Sequence, residues 1–311
     1  MKDKRVIFMG TPNYSVPVLN MLIENTDVIG VVTQPDKEVG RKKILTPSPI
    51  KQVAIDNNIK VLTPEKLRDS YQDILDLKPD IIITCAYGQI LPEELINAVE
   101  YKVVNVHASL LPKYRGGAPI HRALINGEQE MGVTIMFTDK NLDSGDIIEK
   151  ESLKVDINDT YDIVSEKMST MGADLLKEVL PSIFDKTCKR EIQNEKDVSY
   201  APIITREDEH IDFNKTSIEV HNKIRGLSSI PGAYAILNNQ NIKLFISTIE
   251  NTKEGSVPGM ITRITKDTIY ISCKDKEIGI MKLQVPGKKP MLVRDYLNGI
   301  NKEELINKRF N

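Results

Sequence analysis

The chain has 311 residues, with 42 Lys and Arg against 44 Asp and Glu, so its formal net charge is −2. Hydrophobic residues make up 40% of it and charged residues 28%, as in globular proteins, which excludes disordered, collagen-like and disulfide-stapled chains. The length favours two domains. The three cysteines and four histidines are scattered, without the spacing of a zinc site.

The first half of the chain alternates apolar strands with helical patterns. Strands that are apolar on both faces are typical of a parallel sheet covered by helices on both sides. The alternation predicts a doubly wound, Rossmann-like, mostly parallel α/β domain. The predicted strands are 6–10, 28–33, 81–84, 103–107 and 133–137, and the predicted helices are 16–25, 49–57, 65–77, 92–98, 118–126 and 160–185.

The second half follows a different pattern. Residues 186–207 are polar and aperiodic, which indicates a linker. Five short strands follow within about eighty residues, a pattern typical of a small C-terminal OB-like β-barrel. These strands are predicted at 233–237, 242–248, 259–265, 268–273 and 279–284, with helices at 292–299 and 301–309. We therefore divide the chain into domains 1–185 and 208–311.

No apolar run approaches the ~18 residues needed to cross a bilayer. Only the four residues Val6–Met9 continue the apolar run after the N-terminal charges, too few for the core of a signal peptide. We therefore expect a cytoplasmic protein that does not contact a membrane.

Charge is distributed unevenly along the chain. Residues 208–311 hold 16 basic and 12 acidic side chains, a net of +4, whereas residues 1–207 hold 26 and 32, a net of −6. A further basic cluster, Arg41-Lys42-Lys43, lies inside the acidic half. A solvated Lys-rich surface explains such runs, but the asymmetry also raises the expectation of a polyanionic partner.

The first predicted strand leads into Gly10-Thr11-Pro12 and not into a phosphate-binding turn. A dinucleotide fold would have GxGxxG here, so that the backbone reaches the pyrophosphate. The domain therefore has the layout of a nucleotide-binding fold without its phosphate chemistry. Ligands of such sheets bind at the carboxyl ends of the strands, which is where we expect the site.

Asn105 and His107 lie two positions apart on a predicted apolar strand and therefore point to one face of it. Buried without partners, each would cost ~1–3 kcal/mol. They are either a satisfied core pair or part of a site in which the amide stabilises an oxyanion and the imidazole moves protons. Three aspartates follow in the loop 139–146, where they form turns or orient the histidine.

The run Asn105-Val106-His107-Ala108-Ser109-Leu110-Leu111-Pro112, followed by Asp143-Ser144-Gly145-Asp146, resembles the active site of the 10-formyltetrahydrofolate-dependent formyltransferases. The resemblance implies that Asn105, His107 and Asp143 are catalytic and that no metal is required. Met9–Pro12, Thr46–Lys51 and Arg115–Pro119 are similar to the branch of the family that formylates initiator Met-tRNA.

That resemblance implies a reaction in which the α-amino group of Met-tRNA attacks the formyl carbon of 10-formyltetrahydrofolate. Asn105 and His107 would stabilise the oxyanion, and His107, held by Asp143, would carry the proton. We predict that replacing any of the three by Ala lowers turnover by orders of magnitude while the fold is retained. The residues expected to contact the folate are Ser109, Leu110, Leu111, Pro112, Tyr87, Gln89, Ile90 and Leu91.

The same resemblance gives the basic cluster a role. The family uses an inserted loop here to engage the acceptor end of the tRNA, so Arg41, Lys42 and Lys43 are predicted to contact phosphates, and the basic C-terminal domain to bind the tRNA body. We predict that Arg41→Glu weakens the use of aminoacyl-tRNA far more than folate binding. A monomer suffices for this chemistry, and we expect one.

Two other functions fit parts of the sequence. A formyltransferase that acts on an amino sugar nucleotide or on glycinamide ribonucleotide would share Asn105, His107 and Asp143. Binding of such a small acceptor would not require the basic cluster and the basic barrel. A noncatalytic RNA-binding protein would need the basic surface but not the three polar residues. The choice of formyl acceptor discriminates among these functions.

Overall fold

The computed structural model describes residues 1–40, 42–252 and 257–311. These residues form two compact units, each assembled from separate stretches of the chain. The first comprises Met1–Pro119, Met131–Leu153 and Ser165–Pro202, and the second comprises Ile120–Glu130, Lys154–Val164 and Ile203–Asn311. Among the described residues, no helix has the length and apolar composition that crossing a membrane requires.

A seven-stranded sheet organises the first unit. Its order is β5-β2-β1-β6-β7-β8-β9, in which the strands from β5 to β7 run parallel and β8 is antiparallel to β7. This confirms the predicted mostly parallel α/β sheet. The strands, with the β3–β4 pair that lies outside this sheet, are β1 (Arg5–Gly10), β2 (Asp27–Val32), β3 (Lys37–Val39), β4 (Ile44–Thr46), β5 (Val61–Leu62), β6 (Ile81–Cys85), β7 (Val103–His107), β8 (Glu130–Phe137) and β9 (Ile147–Lys154).

The helices follow the predicted positions with one exception. The single helix expected over 65–77 is two short helices, because the chain leaves the helical hydrogen-bond pattern at Tyr71. Pro181 does not end the long helix, which continues to Phe184. The helices are α1 (Val16–Asn25), α2 (Pro49–Asp56), α3 (Leu67–Ser70), α4 (Gln72–Leu75), α5 (Glu93–Ala98), α6 (Pro119–Ile125) and α7 (Tyr161–Phe184).

The core of the first unit lies around the central strands of the sheet. Ile7 and Met9 of β1, Ile82 of β6 and Val103 of β7 are fully buried in one cluster, together with residues of the helices that pack on the sheet. Burial on both faces explains why these strands are continuously apolar in sequence. It also makes the polar side chains at the ends of β6 and β7 exceptional.

Lys42 and Lys43 of the basic cluster lie between two short strands that pair as a β-hairpin. β3 and β4 pair in antiparallel register, with Lys37 opposite Thr46 and Val39 opposite Ile44. All residues of the two strands are exposed. The alternation that identifies a half-buried strand is missing from a hairpin without a buried face, so hydrophobic periodicity does not predict it.

The second unit is an antiparallel barrel, which confirms the predicted C-terminal fold. Its strand order is β10-β11-β14-β13-β12, and β15 pairs with β14. The strands are β10 (Ala233–Leu237), β11 (Gln240–Ile249), β12 (Ile261–Ile264), β13 (Ile269–Ser272), β14 (Glu277–Gln284) and β15 (Met291–Leu292), and the helices are α8 (Arg206–Glu209), α9 (Ser217–Gly226) and α10 (Val293–Tyr296).

The last residues of the chain close this sheet between β12 and β10. Ile261 N donates to Lys308 O at 2.9 Å, and Ile236 and Asn311 exchange backbone bonds at 2.8 and 2.9 Å. The helix predicted over 301–309 is therefore wrong: only Lys302–Glu304 form a 3₁₀ turn. Beyond that turn, Asn307 N donates to Ile261 O at 2.9 Å and Asn311 N to Ile236 O at 2.9 Å, which are bonds to strands and not bonds of a helix.

Helix α9 was not predicted, although its start carries a sequence signal. Thr216 and Glu219 form a capping box, in which each side chain accepts from the other residue's backbone N–H. The helix buries His221, whose Nε2 lies 2.8 Å from the carbonyl oxygen of Ile157 and whose Nδ1 lies 2.9 Å from Ser247 Oγ. Burial holds the pKa of His221 below its usual value.

The segment predicted as a linker is largely part of the first unit, which extends to Pro202. Glu191 exchanges two backbone hydrogen bonds with Ile147 at the start of β9, and Ala201 N donates to Arg115 O at 2.7 Å. The segment lacks periodicity because it runs as an extended chain along loops and strand ends. The division into functional domains 1–185 and 208–311 stays a prediction.

Candidate functional site

Polar side chains gather at the carboxyl ends of β6 and β7, two neighbouring parallel strands. Thr84 of β6 pairs with Asn105 of β7, and His107 of β7 pairs with Thr134 of β8. Because parallel strands end at the same edge of a sheet, the loops that follow β6 and β7 meet there. Asn105, His107 and Asp143, which are separated in sequence, come together at this edge.

The side-chain amide of Asn105 is held in one orientation. The hydroxyl of Thr84, a residue only 5% exposed, donates to Asn105 Oδ1 at 2.9 Å. With its oxygen engaged, Asn105 can offer its Nδ2 hydrogens as donors. Within the described part of the chain, no hydrogen bond occupies Nδ2. The arrangement provides a preorganised donor for a negative oxygen.

His107 is buried, and its two ring nitrogens have different neighbours. Nε2 lies 3.1 Å from the carbonyl oxygen of Tyr114. Because a carbonyl oxygen only accepts, Nε2 carries the proton of the neutral ring. Nδ1 is then the basic nitrogen, and it lies 3.7 Å from Oδ2 of Asp143, a separation that makes an ion pair when the ring is protonated. The pair can therefore take up a proton and stabilise it.

Asp143 is fixed from its backbone and from its carboxylate. It has a φ of +48°, a left-handed conformation that few residues other than glycine adopt. Its Oδ2 accepts from Gly116 N at 2.8 Å. Gly145 lets the loop turn closely under β8, because a Cβ there would collide with the carbonyl oxygen of Phe137. The Asp-Ser-Gly sequence thus has a steric reason for its glycine.

The segment 109–112, predicted to contact folate, is a tight turn after β7. Ser109 Oγ donates to Lys113 O at 2.6 Å. The buried hydroxyl of Thr134 donates to Ser109 O at 2.6 Å and accepts from Leu111 N at 3.1 Å. The Leu111 side chain packs with Met136 and Ile147, whereas Leu110 and Pro112 are partly exposed. The turn is rigid and borders the three predicted catalytic residues.

The loop after β6 contains the other four residues predicted to contact folate. The Tyr87 ring lies in the core cluster, its hydroxyl has no hydrogen-bond partner, and burial raises its pKa to about 12. Gln89 is tied to the 64–67 segment, since its Oε1 accepts from Leu67 N at 2.8 Å. Ile90 is 86% exposed, and Leu91 packs on the core. The Tyr87 ring and the Gln89 amide are thus engaged within the protein, and contact of these four residues with folate stays a prediction.

Two of the residues predicted to bind tRNA, Lys42 and Lys43, lie between the paired strands β3 and β4. Lys42 and Lys43 are exposed, and Lys43 Nζ lies 3.5 Å from Glu38 Oε2. Arg41 lies outside the described residues. Such exposed cations suit contacts with phosphates, for which neither burial nor a fixed geometry is required.

Three residues next to the site were not predicted. Arg115 is 3% exposed, and its guanidinium bonds to Gln193 and Glu195. Ser199 Oγ accepts from Tyr114 N at 2.9 Å. Arg115 stood in a motif that carried the resemblance, but Gln193 and Ser199 lie in the aperiodic segment, where no local pattern distinguishes them. Among the described residues, no group of three potential ligands could hold a metal ion.

Family comparisons agree with this geometry. The model of the formyl transferase family matches residues 4–180, and the model of the formyl transferase C-terminal domain matches residues 203–301. The chain belongs to the formyl transferase family. The resemblance drawn from residues 105–112 and 143–146 is therefore confirmed, and the enzyme transfers a one-carbon formyl group.

Curated relatives of this formyl transferase match it along almost its whole length. It is 48% identical to the methionyl-tRNA formyltransferase of Staphylococcus epidermidis over 307 residues, which cover 98% of each chain. It is 47% identical to the methionyl-tRNA formyltransferase of Staphylococcus aureus over 298 residues, covering 95% of this chain and 96% of the relative.

Solved structures of similar fold include formyl transferases that act on sugars. A sugar 3N-formyl transferase, solved with dTDP and 5-N-formyl-THF, has a TM-score of 0.67 and 26% identity, covering 92% of this chain and 99% of its own. The N-formyltransferase of Helicobacter canadensis, in complex with folinic acid and dTDP-3-aminofucose, has a TM-score of 0.67 and 27% identity, covering 89% and 98%. A C-terminal unit therefore does not by itself separate tRNA from sugar acceptors.

Proposed function

We propose that this formyl transferase moves the formyl group of 10-formyltetrahydrofolate to the α-amino group of the methionine on initiator Met-tRNA. The observation that carries the proposal is the 48% identity, over 98% of each chain, to a methionyl-tRNA formyltransferase. Identity to the sugar enzymes is 26% and 27%. Because acceptor choice depends on side chains more than on the fold, the larger identity favours the tRNA acceptor.

Asn105 is the proposed oxyanion donor. Attack of an amine on a formyl carbon leaves a negative charge on the formyl oxygen, and a preorganised donor to such an oxygen contributes about 2.7–4 kcal/mol. Thr84 already occupies Asn105 Oδ1, so Nδ2 faces the reaction without reorienting. This hydrogen bond supports the assignment of Asn105 as the donor.

His107 and Asp143 are the proposed acid–base pair. His107 Nδ1 accepts the proton that the attacking amine loses, and Asp143 Oδ2, 3.7 Å away, stabilises the imidazolium. The ring then returns the proton to N10, which receives the electrons of the breaking bond to the formyl carbon. Tyr114 O keeps the Nε2 proton in place throughout, so the ring does not change its tautomer or its orientation.

The 109–112 turn and the loop after β6 are the proposed binding site of the formyl donor. When bound, 10-formyltetrahydrofolate supplies the formyl carbon and N10 as the leaving atom. Two structures of similar fold contain 5-N-formyl-THF or folinic acid, which supports a reduced folate as the ligand. The turn borders His107 in the chain and is fixed by Thr134, so it can hold the folate without reordering.

The proposed tRNA-binding surfaces are the basic cluster between β3 and β4 and the C-terminal domain 208–311. Arg41, Lys42 and Lys43 supply a local positive charge, and residues 208–311 carry a net of +4. The phosphate backbone requires such charge, whereas an amino sugar nucleotide requires few cations.

An acceptor assay tests the proposal. The purified enzyme is supplied with 10-formyltetrahydrofolate and with Met-tRNA, a nucleotide-linked amino sugar or glycinamide ribonucleotide, and formylated product is measured. We expect formyl transfer to Met-tRNA alone, lost by orders of magnitude in His107→Ala. Transfer to a small amine and not to Met-tRNA would overturn the tRNA acceptor but leave the reaction class intact.

A further inference from the structure

One stretch of the predicted linker bonds to Asp143 and to Tyr114, the residue whose carbonyl oxygen lies next to His107. We call residues 191–201 the return segment, because it brings the chain back along the site after helix α7 has ended at Phe184. Within it, Gln193 bonds to the loop of Asp143, and Ser199 bonds to Tyr114, whose carbonyl oxygen holds His107. No step of the proposed mechanism uses these two residues directly.

Gln193 is 5% exposed, and its amide makes four hydrogen bonds. Its Oε1 accepts from Arg115 Nε at 3.1 Å and from Arg115 Nη2 at 2.9 Å. Its Nε2 donates to the carbonyl oxygens of Asp143 and Gly145, both at 2.8 Å. Every polar hydrogen and the oxygen of this amide are therefore directed at a specific partner.

Arg115 determines which way the Gln193 amide points. A guanidinium only donates, so the side facing Arg115 must be the amide oxygen, and the NH₂ group must face the Asp143 loop. Arg115 is itself 3% exposed and is balanced by Glu195, whose Oε1 lies 2.9 Å from Nη2. The orientation of the Gln193 amide is thus set by a buried guanidinium, which can only donate hydrogen bonds.

The two hydrogen bonds that Gln193 donates support Asp143 at a point where its backbone has an unfavourable left-handed conformation. A non-glycine residue at φ +48° needs support from its surroundings, because the left-handed region costs free energy. Gln193 supplies that support through the carbonyl of Asp143 itself and through that of Gly145, two residues on. The carboxylate is thereby kept 2.8 Å from Gly116 N and 3.7 Å from His107 Nδ1.

We propose that Gln193 is a positioning residue for formyl transfer, which acts by holding Asp143 in the conformation that pairs with His107. The inference rests on the proposed catalytic role of Asp143. Ser199 bonds to the backbone beside the other member of the pair: its Oγ accepts from N of Tyr114, whose carbonyl oxygen lies 3.1 Å from His107 Nε2, and its carbonyl accepts from Arg115 N at 2.8 Å. The return segment is thus part of the catalytic centre.

Two substitutions separate positioning from folding. Gln193→Glu keeps oxygens for Arg115 but replaces the NH₂ group, so a carboxylate oxygen faces the carbonyls of Asp143 and Gly145. Gln193→Met keeps the length of the side chain and removes all four bonds. Gln72→Met, at an exposed glutamine bonded only to Asp76 one helical turn away, is the matched control and should leave kcat unchanged.

The decisive measurement is a double-mutant cycle on kcat with Asp143→Asn, using saturating Met-tRNA and 10-formyltetrahydrofolate. We expect Gln193→Glu to lower kcat by about 10- to 100-fold, as a misplacement of the reacting groups by about 1 Å does, with both KM values within about twofold of the wild type. In the Asp143→Asn background the same change should have little further effect, because it acts through Asp143.

The outcomes of the cycle separate the positioning role of Gln193 from the catalytic role of Asp143. If the two changes multiply in the double variant, Gln193 does not act through Asp143 and the inference is overturned. If Gln193→Glu has normal kcat, it is overturned as well. If Asp143→Asn retains near-normal kcat, the catalytic assignment itself fails, and the positioning role fails with it. Thermal unfolding of Gln193→Met and Gln193→Glu checks that each variant is folded, and the cycle uses Gln193→Glu because that change retains oxygens for Arg115.

Discussion

At the scale of single residues, each of the three side chains at the site is held by a hydrogen bond to a neighbouring group. Thr84 engages Asn105 Oδ1, Tyr114 O engages His107 Nε2, and Gly116 N engages Asp143 Oδ2. In Asn105 and His107 the bond leaves the other polar atom available for the proposed reaction, whereas in Asp143 it fixes the oxygen that faces His107 Nδ1. Preorganisation of this kind lowers the barrier because no group reorients as charge develops.

This arrangement makes a prediction for Asn105. Asn105→Asp keeps an oxygen for the Thr84 hydroxyl but replaces the NH₂ donor by an oxygen that repels the oxyanion. We expect kcat to fall by about 10²–10³-fold, as for the loss of an oxyanion donor elsewhere, while the KM for Met-tRNA stays similar. Steady-state kinetics check this, with Thr84→Ser as the control that retains the hydroxyl. A normal kcat in Asn105→Asp would remove Asn105 from the catalytic set.

At the scale of elements, the exposed β3–β4 hairpin and the return segment are two parts of the chain that sequence periodicity did not identify. The β3–β4 hairpin has no buried face, so its charged side chains are exposed to solvent. The return segment contains the short 3₁₀ turn Glu195–Asp197, and the side chains of Gln193 and Ser199 bond to loops. The proposed roles, tRNA contact for the hairpin and positioning of Asp143 for the return segment, thus depend on residues outside the seven-stranded sheet and its helices.

The hairpin supports a prediction on substrate use. Lys42→Glu, alone or with Arg41→Glu, replaces attraction to phosphates by repulsion, so the KM for Met-tRNA should rise about tenfold or more, and more steeply at low salt. The KM for 10-formyltetrahydrofolate should not change. Lys177→Glu, at an exposed lysine of helix α7, is the charge-matched control. Equal changes in both KM values would indicate that the hairpin supports the fold and not the tRNA.

At the scale of the whole molecule, the chain builds each unit from separate stretches. Residues 154–164 belong with the barrel, although they lie between stretches of the first unit. Inside the second unit, His221 of α9 and Arg225 bond to carbonyls of this stretch, those of Ile157, Asp156 and Asp159. Buried polar groups thus hold together parts of the second unit that are distant in sequence.

His221 makes the stability of the enzyme dependent on pH. Its pKa in the folded state is lowered by burial from an ordinary value of 6.5, so the folded protein resists protonation. The stability is therefore fully present above about pH 6.5 and is lost as the pH falls below it. We expect Tm to fall between pH 7.5 and 5 and the slope to be shallower in His221→Gln. His210→Gln controls for the loss of an imidazole, and an unchanged slope in His221→Gln would contradict the assignment.

How far the sequence predicts this site depends on the residue. Asn105 and His107 were identified because polar residues on an apolar strand are unusual, and Asp143 because the resemblance assigned it. For Tyr87 and Gln89, the sequence did not reveal that the ring enters the core and that the amide is bound to Leu67. Side-chain direction in a loop depends on the packing around it, which no local pattern encodes.

The sequence by itself determined the parallel α/β sheet, the barrel and the family, because hydrophobic periodicity and a contiguous motif are local properties of the chain. Only the tertiary structure decided that Gln193, fifty residues beyond Asp143, bonds to the loop of that aspartate. The same holds for the last residues of the chain, which close the barrel through Ile236 and Ile261. Such contacts arise when backbone and amide groups must find partners in the folded chain, and hydrogen bonding of that kind leaves no period in the sequence.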